Sequence, residues 1–461
     1  MRRRRNSALF CGVWHGAERG ERELSYRYLL DVALILISTK LLGLLTKKFQ
    51  MPQVVGALLA GLILGPAVLN VLHGTDFLAQ VSEMGVIVIM FSAGLGTDIK
   101  ELKKTGKAGF VVALCGVLVP LGMGALLAFF FNRGEFAHPG NVLLQNIFIG
   151  VILTATSVSI TVETLKEIGK LNTKVGNTIL AAALIDDILG LIALTIVTSM
   201  AGADVNMWLV FLKIALFLVF AILVGFLARK WFTWYAKKKE QKNLHRFPIA
   251  AFVLCLGMAY CAEEFFGVAD IIGAFAAGLV IANTPKAKYI ESKFSPLSYL
   301  LLTPIFFASI GIKVTLPNMN WTIVLFAVLM VLVAVLSKLV GCGLGAKLCG
   351  FQNRQCVQVG FGMACRGEVA LIVANKGNAL GLMPAAFFGP VIIMVVCAAV
   401  FTPVLLKLVF RPSHKESAYA DLQGSVLADR YEEMEQLDIV EQQILDANRE
   451  MMDQSDSRQE K

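Results

Sequence analysis

The stretch Ala182-Ala183-Leu184-Ile185-Asp186-Asp187-Ile188-Leu189-Gly190-Leu191-Ile192 sets two adjacent carboxylates inside an apolar run that extends from about Ile179 to Met200. A run of that length crosses a bilayer as a helix. Charged side chains at that depth are costly, so they mark ion pathways far more often than structural helix. The pair therefore reads as a place that water and a cation reach from within a membrane.

Composition points the same way. Of 461 residues, 57% are apolar and only 16% are charged, and the mean hydropathy is +0.70. Apolar runs of about 20 residues alternate with short basic loops, the pattern of an all-α polytopic membrane protein. Loop lysines on one membrane face account for the net charge of +9 without any nucleic-acid partner. The nine cysteines lie mostly inside apolar runs and show no CxxC spacing. Cys342, Cys349 and Cys356 share one helix face, a better reading of their interval than a metal site. No nucleophile–base pair, phosphate-binding loop or metal spacing is present, so no enzyme and no cofactor is expected.

Thirteen spans can be placed, at about 29–46, 52–72, 78–98, 108–131, 143–165, 177–201, 206–228, 247–265, 267–284, 297–316, 321–346, 357–377 and 385–410. One set of loops carries Lys47 and Lys48, the Lys100–Lys107 cluster, Lys166 to Lys174, the Arg229–Arg246 cluster, Lys286 to Lys293, Lys347 and Arg411. The opposite loops offer little beyond Arg133 and Lys313. The positive-inside rule then makes the C-terminus cytoplasmic, and the localisation expected is the cell (inner) membrane, as a multi-pass protein. Spans 1–6 and 8–13 start on opposite sides, so two six-helix halves are related by inversion, the layout of secondary transporters. Residues 1–28 form a polar basic extension, either a disordered arm or sequence upstream of the true translation start. Residues 29–411 form the transmembrane domain. Residues 412–461 form an acidic cytoplasmic tail, read either as a short amphipathic helix or as a disordered segment.

Three further features accompany the Asp pair. Thr154-Ala155-Thr156-Ser157-Val158-Ser159 places four hydroxyls within six residues of span 5. Such residues compete with the helix for backbone hydrogen bonds, although composition alone favours a continuous helix whose hydroxyls bond back to the preceding turn. Gly360-Phe361-Gly362-Met363-Ala364-Cys365-Arg366-Gly367-Glu368 suggests an interrupted helix in the matching span of the other half, where a midplane site is expected. Arg366 and Glu368 are read there as structural charges. Lys338 is the only charge between about Ile323 and Ala346 and is better explained by a carboxylate partner, Asp186 or Asp187, than by snorkelling.

Together with Pro52-Gln53-Val54-Val55-Gly56, Gly61-Leu62-Ile63-Leu64-Gly65-Pro66 and Pro304-Ile305-Phe306-Phe307, these motifs resemble those of the second monovalent cation:proton antiporter family, NapA-type sodium/proton antiporters in particular. The resemblance runs from about Pro52 to Pro403. It implies thirteen helices, a homodimer held by a scaffold domain, and a core with two crossed, broken helices. It also implies that Asp187 is the main cation and proton ligand, that Asp186 pairs with Lys338, and that Thr156 and Ser157 lie near the cation. The chain departs from the family at Gly94-Leu95-Gly96, where many members end span 3 in Gly-Leu-Glu, and at Asp270, where a proline is usual.

Burial favours the neutral form of a carboxylate, so proton and Na⁺ compete for one site. If the naked carboxylate is too costly to move, uniport is suppressed and exchange results. The function expected is Na⁺ (or Li⁺) for H⁺ antiport by alternating access, electrogenic if Lys338 also loses a proton. Competing readings are K⁺/H⁺ exchange and, from another class, a gated cation channel. A channel needs a continuous polar pathway rather than polar residues converging on one point.

Overall fold

In the computed structural model every regular element is helical among the described residues, which are 14–49, 51–97, 99–133, 141–201, 207–238, 246–284, 286–314 and 320–411. All packing considered below lies within the unit that ends at Val409. The acidic tail, the first thirteen residues and Asp98 lie outside the described residues.

The helices are α1 (Trp14–Lys48), α2 (Gln53–Leu64), α3 (Asp76–Leu95), α4 (Ile99–Phe131), α5 (Val142–Thr154), α6 (Val158–Glu167), α7 (Lys174–Met200) and α8 (Met207–Lys238). They continue with α9 (Arg246–Glu264), α10 (Asp270–Ala282), α11 (Ala287–Leu297), α12 (Thr303–Ile312), α13 (Trp321–Leu348), α14 (Asn353–Gly362), α15 (Glu368–Ala379) and α16 (Phe388–Val409). By length and apolarity ten segments among the described residues are able to cross a membrane, counting α5–α6 and α11–α12 as one each. The other three expected spans fall on the shorter α2 and α10 and on the interrupted α14–α15 pair. Helix α1 begins at Trp14, fifteen residues before the expected span, because the Ala, Glu and Arg of this segment are good helix formers.

Capping follows the sequence. Thr75, Asn141 and Thr173 accept backbone N–H bonds at the starts of α3, α5 and α7. Pro304 sits in the first turn of α12, directly after a π-helical turn, Ser298–Leu302, that joins α11 to α12. The turn accommodates Pro304, which has no backbone N–H to donate.

Two groups of helices emerge from the packing. In one, α2 lies against α1 and α12, and α3 against α10 and α12, with α9 on α10. In the other, α4 lies against α5, α7 and α13, and α13 against α14 and α16. Small residues allow this closeness, as expected where lipid supplies no hydrophobic drive between helices. A Cβ on Gly278 would strike the Phe91 carbonyl of α3, and one on Gly341 would lie 2.6 Å from the Cys115 carbonyl of α4. The second group holds an extensive apolar core, built around Phe148, Phe326, Met330, Phe387 and Met394. Between the groups, α16 packs on α2, and α6 on α3 and α2, while α8 packs on α10 and α7.

Candidate functional site

The hydroxyl-rich segment of span 5 is not a continuous helix. Helix α5 ends at Thr154, α6 begins at Val158, and Ala155 and Ser157 have extended backbone with ψ of 130° and 100°. The hydroxyls find better partners than the preceding turn alone offers. Thr156 Oγ1 donates to Asp186 Oδ2 at 2.7 Å, while Thr154 Oγ1 bonds back to the Val151 carbonyl at 2.7 Å. The second interruption also forms: α14 ends at Gly362 and α15 begins at Glu368.

The two breaks meet. The Ser157 amide donates to the Cys365 carbonyl at 3.0 Å, and Thr161 Oγ1 on α6 donates to the Gly362 carbonyl at 2.9 Å. Gly367 permits this approach, since a Cβ there would lie 2.6 Å from Ser157 Oγ. Two half-helix N-termini and two C-termini therefore face one small region, and their partial charges of opposite sign are left for side chains to balance.

Those side chains come from α7, α13 and the second break. Lys338, fully buried on α13, donates to both oxygens of Asp186, at 2.8 and 2.9 Å. Asp186 thus accepts from an ammonium and from a hydroxyl, and its charge is satisfied although it is only 2% exposed. Asp187 differs. Its Oδ2 is buried and accepts no hydrogen bond. Adjacent residues on a helix point about 100° apart, so α7 turns one carboxylate to the lysine and leaves Oδ2 of the other without a hydrogen bond.

Arg366 is 0% exposed and donates from Nη2 to the Ala334 carbonyl of α13 at 3.1 Å. Its Nε and Nη1 are buried without partners. It supplies positive charge beside the helix ends rather than a ligand. Glu368 lies in the first turn of α15, where negative charge suits the helix N-terminus, and it is not bonded to the Asp186–Lys338 pair. Ser157 contributes chiefly its backbone, with its hydroxyl 3.5 Å from that of Ser159.

Three contributors were not singled out in the sequence: Thr161, the Ala334 carbonyl, and Gly116 of α4. A Cβ on Gly116 would lie 2.5 Å from Cys342 Sγ and within 3.7 Å of Lys338 Nζ and Asp186 Oδ1. The available signal was the line of small residues on α4 and α13. Among the described residues no group of three or more His, Cys, Asp or Glu could hold a metal ion. A monovalent cation needs only hard oxygen ligands, such as a carboxylate, hydroxyls and unwound carbonyls.

A family profile described as "Sodium/hydrogen exchanger, transmembrane" matches residues 33–411. The chain belongs to the sodium/hydrogen exchanger family. Among its relatives, the Na⁺/H⁺-K⁺ antiporter GerN of Bacillus cereus is 37% identical over 85% of this chain and 98% of its own length. A Na⁺/H⁺ antiporter of Enterococcus hirae is 36% identical, over 82% of this chain and 96% of its own. The sodium/proton antiporter MjNhaP1 of Methanocaldococcus jannaschii shares the fold at a TM-score of 0.61 and 17% identity, over 87% of this chain and 96% of its own. Membership makes this a multi-pass membrane transporter of the cation/proton exchanger class, with the all-helical fold expected from its sequence.

Proposed function

We propose that this exchanger moves Na⁺ against H⁺ across the cell (inner) membrane by alternating access, with Asp187 as the carboxylate that binds either ion. The observation that carries the reading is the contrast within the Asp pair. Asp186 is held by Lys338 and by Thr156 of the first helix break, whereas the adjacent Asp187 keeps a buried oxygen without a partner. A carboxylate so placed tolerates a proton or a cation but not an empty charged state, which couples the two fluxes. Thr156, Ser157 and the carbonyls of the breaks complete the oxygen environment.

The Lys338–Asp186 pair gives a second proton. Cation binding at Asp187 weakens the pair, the lysine releases its proton, and two protons then exchange for one Na⁺. Arg366 and Glu368 hold the second break. The chain crosses the membrane thirteen times, with α2, α10 and the interrupted α14–α15 pair as the short crossings. Its halves are inverted repeats, its C-terminus is cytoplasmic, and it works as a homodimer. The charge asymmetry of the loops and the matching positions of the two breaks support that arrangement. Li⁺ is a natural second substrate. K⁺ exchange is the other reading to test, because GerN carries K⁺ in its name.

The test is cation-dependent dequenching of a pH dye in proteoliposomes, scanned across Na⁺, Li⁺ and K⁺. Dequenching by Na⁺ supports the proposal. Dequenching by K⁺ alone transfers it to K⁺/H⁺ exchange, and none with any cation overturns it.

A further inference from the structure

Helix α2 starts at Pro52-Gln53, and Pro52 at its N-cap offers no side-chain hydrogen bond to the first turn. The cap comes from elsewhere in the chain. Glu167, the last residue of α6, accepts the Gln53 N–H with both carboxylate oxygens, at 2.9 and 2.8 Å, across 114 positions of sequence. A carboxylate at a helix N-terminus satisfies an orphan donor and complements the helix dipole.

The two ends of this contact belong to different helix groups. Helix α2 is bound to α1 and α12, with Gly61 and Gly311 letting α2 and α12 approach backbone to backbone. Helix α6 continues from the first break, and its Thr161 bond to Gly362 ties it to the second break. Glu167 is therefore tied to the breaks through α6, and Gln53 to the other group through α2. The contact lies beside the lysine-rich loops, next to Lys47, Lys48, Lys166 and Lys170 in the sequence. These loops define the cytoplasmic side in the proposed orientation.

We propose that Glu167 and the N-terminus of α2 form a releasable latch that closes the cytoplasmic seam between the two helix groups. The latch rests on the alternating-access reading above. It makes Glu167 a positioning residue, remote from the ions, whose contact is made in one end state and broken in the other. Removing it loosens the first turn of α2 and lowers the barrier to leaving the latched state.

The test uses the full chain in proteoliposomes with Glu167→Gln and Glu167→Ala. Backbone hydrogen exchange is read over the peptide from Met51 to Leu58, and turnover is read at saturating cation. Loss of a cap of ordinary strength predicts about fivefold faster exchange at the start of α2 and a turnover raised by about the same factor. Glu167→Asp, one methylene shorter, falls between. Faster amide exchange with unchanged or reduced turnover would reduce Glu167 to a static cap and overturn the latch. Unchanged amide exchange in both variants would remove the contact itself. Failure of the unaltered chain to exchange any cation would instead overturn the transport reading, with the amide exchange still reporting the tether.

Discussion

Lys338 and Asp186 stand 152 positions apart in sequence, yet one ammonium donates to both oxygens of one carboxylate at 2.8 and 2.9 Å, with both side chains buried. A pair of this kind contributes little net stability when intact, but removing one partner strands a charge in the membrane interior. Lys338→Gln is expected to destabilise the protein by about 3–5 kcal/mol. The double variant Asp186→Asn/Lys338→Gln removes both charges and recovers much of that loss. Thermal unfolding of the purified protein in detergent compares the three variants. Lys338→Gln is also expected to leave slower, electroneutral exchange, read as loss of the transport current on solid-supported membranes with cation-driven dye dequenching retained.

The hydroxyl of Thr156 supplies the other contact to Asp186, at 2.7 Å. Hydrogen bonds to charged groups are worth about 1.5–3 kcal/mol. Thr156→Val keeps the shape and loses the donor, so a destabilisation of that size is expected, whereas Thr156→Ser stays close to the unaltered protein. Equal melting temperatures for the Val and Ser variants would show that the bond has no energetic role.

Gly116 admits no side chain. Gly116→Ala drives a methyl group to within 2.5 Å of Cys342 Sγ and so crowds the ion pair from the α4 side. Overpacking of this kind costs about 1–3 kcal/mol. The companion change Cys342→Ala removes the obstructing sulfur, and the double variant is expected to regain stability and transport together. A double variant no better than Gly116→Ala alone would place the damage elsewhere.

The membrane class, the all-helical fold and the isolated charges of the apolar runs were legible in the sequence because each has a local cause. Apolar run length gives the spans, and Asp186, Asp187, Lys338 and Arg366 stand out against apolar surroundings. The break in span 5 was not legible from composition. Whether Thr154 and Thr156 bond back to their own helix or outward depends on Asp186 being 2.7 Å away, a tertiary fact. The same limit hid the Thr161–Gly362 bond and the contact of Glu167 with Gln53, where a backbone group is one of the two partners. Gly116 was missed for a related reason, since the sequence does not tell which glycine of a helix faces a sulfur.

Proton and cation share one carboxylate in the proposed cycle, which fixes the sign of the pH dependence. At low pH the proton occupies the site, and the apparent KM for Na⁺ rises, approaching about tenfold per pH unit once the protonated form dominates. At high pH the carboxylate is already bare and KM becomes constant, while exchange slows for lack of protons to return. Initial rates at several Na⁺ concentrations and pH values check this. A KM independent of pH throughout would mean separate sites for the two ions.

The division of labour between the adjacent carboxylates is tested most directly by Asp187→Asn in proteoliposomes with an imposed proton gradient and a pH dye. The substitution keeps the side-chain shape and leaves the Lys338–Asp186 pair in place, so the expected result is a folded protein in which Na⁺ addition leaves the gradient intact. Dissipation of the gradient at the rate of the unaltered protein would show that Asp187 is not where the ions exchange.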